Sequence, residues 1–98
     1  IHDDDIVDQV PKLLSVASVP ATIVNWGGDE AVETRTYCDH LGALVGRTPT
    51  YVEVDAGMEG TAVDNTRRRA LIGDCAIDWR DGFRDMVKRR HPDAYVGD

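Results

Sequence analysis

Two β-branched runs, 21–26 (Ala-Thr-Ile-Val-Asn-Trp) and 50–54 (Thr-Tyr-Val-Glu-Val), flank a single amphipathic segment at 33–45. Branched and aromatic residues of this kind suit a pleated, half-buried surface. Pro20 introduces the first run and Gly27-Gly28 stops it. Between the runs, Tyr37, Leu41, Leu44 and Val45 recur at helical spacing, and Gly46 follows as a terminator. A strand, a helix and a strand in that order close almost always as a right-handed crossover between parallel strands. The expected fold is therefore α/β, a small parallel two-stranded sheet with about four helices.

The remaining helices carry their own punctuation. His2-Asp3-Asp4-Asp5 precedes Ile6, Val7, Val10, Leu13 and Leu14, so a helix over 5–18 is expected, with Asp4 or Asp5 as its N-cap. Pro11 lies inside it, removes one hydrogen bond and is expected to kink it. Asp64 caps a short helix ended by Gly73, after a glycine-containing loop at 55–63. Asp78 caps the last, from Trp79 to Arg90, with Trp79, Phe83, Met86 and Val87 on its apolar face and Asp81 completing a start like a capping box. Lys88, Arg89 and Arg90 sit at the negative end of its dipole, and Pro92 ends the run.

Ninety-eight residues suffice for one small subdomain, 1–98, that buries roughly 65% of its unfolded surface. The opening reads as a strand end running into a helix start, so the chain is expected to be a fragment of a longer parent. A net charge of −7 speaks against nucleic acid and anionic membranes as partners. No apolar run reaches transmembrane length, and a cytoplasmic location is expected. Cys38 and Cys75 are too few for a disulfide framework and are expected to be reduced.

Five short motifs then line up. His2-Asp3-Asp4-Asp5-Ile6 opens a helix, Val24-Asn25-Trp26-Gly27-Gly28 ends a strand, and Leu44-Val45-Gly46 ends a helix. Asp64-Asn65-Thr66-Arg67 begins a helix closing at Leu71-Ile72-Gly73, and Asp81-Gly82-Phe83 lies in the last one. In this order, over almost the whole chain, they resemble the C-terminal, substrate-domain segment of the NAD-dependent epimerase/dehydratase family, the extended short-chain dehydrogenase/reductases.

The resemblance implies the C-terminal part of an extended Rossmann-type enzyme, using NAD or NADP in the parent and no metal. It implies as partners the Rossmann domain of the same protein, a small-molecule substrate such as a sugar derivative, and further copies in a homo-oligomer. It also places the loop at 54–60 beside substrate, with Gly57 and Glu59 as the substrate-binding residues. Asp55 stands in that loop where a diphosphate would need a guanidinium, which argues against a nucleotide diphosphate-sugar. The family's cofactor loop, Gly-x-x-Gly-x-x-Gly, is missing from the chain, and so is its Tyr-x-x-x-Lys pair: Leu41 follows Tyr37 at that distance and Asp55 follows Tyr51. No residue is assigned a catalytic or cofactor-binding role, and the isolated chain is expected to be inactive. The alternative is a stand-alone binding or interaction module of the same fold, without redox chemistry.

Other chemistry-bearing residues have plainer readings. His2 among three acids could ligate a metal, but a capped helix start explains it. Cys38 and His40 point to different faces of one helix. Arg67-Arg68-Arg69 and Lys88-Arg89-Arg90-His91 are read as solvated helix faces rather than nucleic-acid patches. Gly27-Gly28 is read as a turn rather than a phosphate cradle, and Trp26 and Trp79 as packing or interface residues.

Overall fold

The computed structural model describes residues 1–54 and 62–97. Four helices follow one another: α1 (Asp3–Ser15), α2 (Thr34–Val45), α3 (Thr66–Ile72) and α4 (Trp79–Arg90). Among the described residues there is no β-strand. The expected α/β fold, with its parallel two-stranded sheet, is thus overturned, and with it the Rossmann-type architecture that the resemblance implied for this segment.

The physical reason lies in the two runs themselves. Neither has a buried face to pay for pairing: Ile23, Val52 and Val54 are all largely exposed. A two-stranded pair without a covered face is marginal in water, and β-propensity reports packing context more than backbone preference. The chain divides into two compact units, and the runs fall in different ones. The first comprises Ile1–Ala31 with Ala62–Trp79, the second Val32–Thr61 with Arg80–Asp98.

In the first unit α1 packs against α3. Its cap is His2 rather than Asp4 or Asp5, with Nδ1 accepting from the Asp4 N–H at 3.0 Å. The helix ends at Ser15, earlier than expected, and contains Pro11. Its inward face mixes polar with apolar side chains, with Ile6 and Leu13 half-buried there. Asp5 and Gln9 are buried at 2% and 1% exposure, while Val7 and Leu14 stand 72% and 71% exposed. The α3 helix begins at Thr66, and Asp64 accepts from the Thr66 N–H at 3.0 Å and its hydroxyl at 2.6 Å. Gly73, at φ 87°, ends it.

The second unit holds the buried apolar side chains found among the described residues, Leu44 and Val87. Gly46 closes α2 in the left-handed conformation at φ 68°, as its position after the periodic residues predicts. Gly42 is needed for a different reason. A Cβ there would meet the Arg47 carbonyl oxygen and, at 2.8 Å, Pro49 Cδ. Tyr37 and Phe83 stack at 5.8 Å, and the Val96 N–H donates to the Leu44 carbonyl at 2.9 Å.

Candidate functional site

The densest convergence of polar groups lies in the first unit, and the motifs quoted above supply most of it. Three consecutive backbone N–H groups, from Cys75, Ala76 and Ile77, point at two carboxylates. Asp29 Oδ2 accepts from Cys75 at 2.7 Å. Asp5 Oδ1 and Oδ2 accept from Ala76 at 2.8 Å and Ile77 at 3.1 Å. A run of N–H groups presented in this way is an anion receptor, and here the chain fills it with its own side chains.

Arg68 joins the carboxylate of Asp29 to the backbone. Its side chain is fully buried. Nη1 donates to the Gly73 carbonyl at 2.7 Å, and Nη2 donates to Asp29 and, at 3.4 Å, to the Gly27 carbonyl. Its Nε is buried without a hydrogen-bond partner among the described residues. Burial pushes the Asp29 carboxyl up, but the Arg68 guanidinium and the Cys75 N–H more than offset it, holding it below the ordinary carboxylate value. This overturns the solvated reading for Arg68, which is core; Arg67 and Arg69 are exposed as expected, with Arg67 reaching the Ile23 carbonyl at 2.9 Å.

Asn65 closes the other side. Its Oδ1 accepts from the Gly27 N–H at 3.1 Å, and its Nδ2 donates to the Gly28 carbonyl at 2.8 Å and the Val63 carbonyl at 3.3 Å. Gln9 accepts from the Trp26 indole at 2.7 Å and donates to Cys75 Sγ at 3.5 Å. The Trp79 indole donates to Glu30 at 3.1 Å. Burial, and then Asp29, raise the Cys75 thiol above its ordinary value, so it is held as the thiol and is a poor nucleophile. Asp5, Asn65 and Arg68 each complete contacts dozens of residues away, and Asp5, Asp29 and Arg68 neutralise or saturate what they touch. The cluster holds separated stretches of backbone together.

The second unit carries a separate exposed cluster. The Tyr51 hydroxyl donates to Asp39 Oδ1 at 2.5 Å, and the Arg35 carbonyl oxygen lies 3.1 Å from it. The Arg35 guanidinium sits 4.5 Å above the Tyr51 ring and donates to Glu53 at 2.9 Å. The bond to Asp39, with some desolvation, pushes the Tyr51 phenol up to about 12. Such a phenol stays protonated at neutral pH, and no lysine stands four residues on to lower it.

The substrate-binding residues expected from the resemblance, Gly57 and Glu59, lie outside the described residues. His2 serves as a helix cap, and His40 Nε2 lies 3.0 Å from the Arg80 carbonyl. Cys38 and Cys75 are both free. Among the described residues no group of three or more His, Cys, Asp or Glu could hold a metal ion. No helix among them is long and apolar enough to cross a membrane. A dinucleotide does not fit the glycine turn that is present. The Gly27 N–H is taken by Asn65, and Asp29 and Glu30 follow where a pyrophosphate would need positive potential.

Sequence reasoning did not single out Asp29, and it weighed Arg68 only within the run Arg67-Arg68-Arg69, as part of a solvated face. Asp29 follows the Gly27-Gly28 turn directly, and Arg68 precedes Leu71 and Ile72 by one helical turn, which places it on their side of α3. Neither a protein-family model nor a curated protein matches this chain.

Proposed function

We propose that this chain is a non-catalytic, substrate-side segment of an NAD(P)-dependent epimerase/dehydratase-like enzyme of the cytoplasm, acting on a small molecule. The observation that carries the reading is the convergence of the motif residues. Asn65 is hydrogen-bonded directly to the Gly27-Gly28 turn, Arg68 joins that turn to Gly73, and Asp5 holds the Ala76 and Ile77 N–H groups a few residues further on. On this reading Gly57 and Glu59 meet the substrate, and Asn65, which donates to the Val63 carbonyl, belongs to the cluster that follows them in the chain. The cofactor and the acid/base pair belong to a partner Rossmann domain of the same protein. The exposed Val7, Leu14, Ile23, Val52 and Val54 side chains are apolar surface of the kind such a domain, or another copy, covers.

A specific observation favours a second reading. The Cys75, Ala76 and Ile77 N–H groups are all taken up by the chain's own carboxylates, which suits a stand-alone binding or interaction module without redox chemistry. The native coding frame separates the two. An upstream glycine-rich nucleotide loop with a Tyr-x-x-x-Lys pair is expected. A frame that encodes neither overturns the enzyme reading and leaves the module.

A further inference from the structure

We draw no further inference here: the strongest candidate, the exposed Val7–Val10–Leu14 stripe of α1, belongs to the apolar surface already ascribed to a partner, and nothing in the structure shows what chemistry covers it.

Discussion

Replacing Asp29 with Asn tests whether the first unit is held by its polar clamp. The substitution keeps the shape and removes the charge, leaving the fully buried Arg68 guanidinium with neutral acceptors only. Breaking a buried pair on one side costs about 3–5 kcal/mol, because the surviving charge is uncompensated. Asp29 keeps some contact with solvent, so the lower figure, about 3 kcal/mol, applies. Against a total of about 5–15 kcal/mol for a domain of this size, that is a large loss. With an m-value of about 2 kcal/mol/M, the urea midpoint followed by circular dichroism falls by about 1.5 M. Arg68→Met costs a similar amount. The double variant costs less than the sum by about 2 kcal/mol, since each partner's absence removes the other's penalty. Acid titration adds a second readout. The Asp29 carboxyl is held below its unfolded value, so its contribution is present above about pH 4 and is lost as pH falls through the folded value. Asp29→Asn therefore flattens the acid limb of stability. A loss within about 0.5 kcal/mol, the range of ordinary surface changes, or additive single and double variants, would mean that the Asp29–Arg68 pair does not hold this unit together.

Three further outcomes follow from separate features. Ultraviolet titration should show a tyrosine ionising near pH 12, and Asp39→Asn should return it toward 10. Because the raised phenol holds its proton longer in the folded state, stability falls between these two pH values in the parent chain and not in the variant. Gly42→Ala should destabilise by about 1–3 kcal/mol in thermal unfolding despite alanine's better helix propensity, since the added methyl meets the Arg47 carbonyl and Pro49. Calorimetric titration of the isolated chain with NADH and NADPH should give no binding, because the Gly27 N–H is already spent on Asn65; a micromolar dissociation constant would overturn the assignment of cofactor binding to a partner domain.

The helices were legible because their signals are local. Gly46 and Gly73 stop α2 and α3 where their positions after the periodic residues predict, and α4 spans the expected Trp79–Arg90. The sheet was misread because a strand needs a partner and a covered face, and neither is written within 21–26 or 50–54. The cap of α1 was misplaced for a related reason: three successive acids all suit a helix start, but His2 takes the local role and Asp5 is drawn away to Ala76 and Ile77. Arg68 was read as solvated because charge is normally a surface property. Its burial depends on Asp29, whose distance in sequence no periodicity reports.

Hydrogen exchange of individual amides, followed by NMR on the isolated chain, reports directly on whether a polar clamp or a paired sheet holds the backbone. Strong protection is expected at Cys75, Ala76 and Ile77, which lie outside the helices but donate to Asp29 and Asp5, and rapid exchange through 21–25 and 50–54. Asp29→Asn should release Cys75 first. Fast exchange at 75–77 together with alternating protection along 21–25 and 50–54 would contradict this, replacing a polar clamp with a paired sheet.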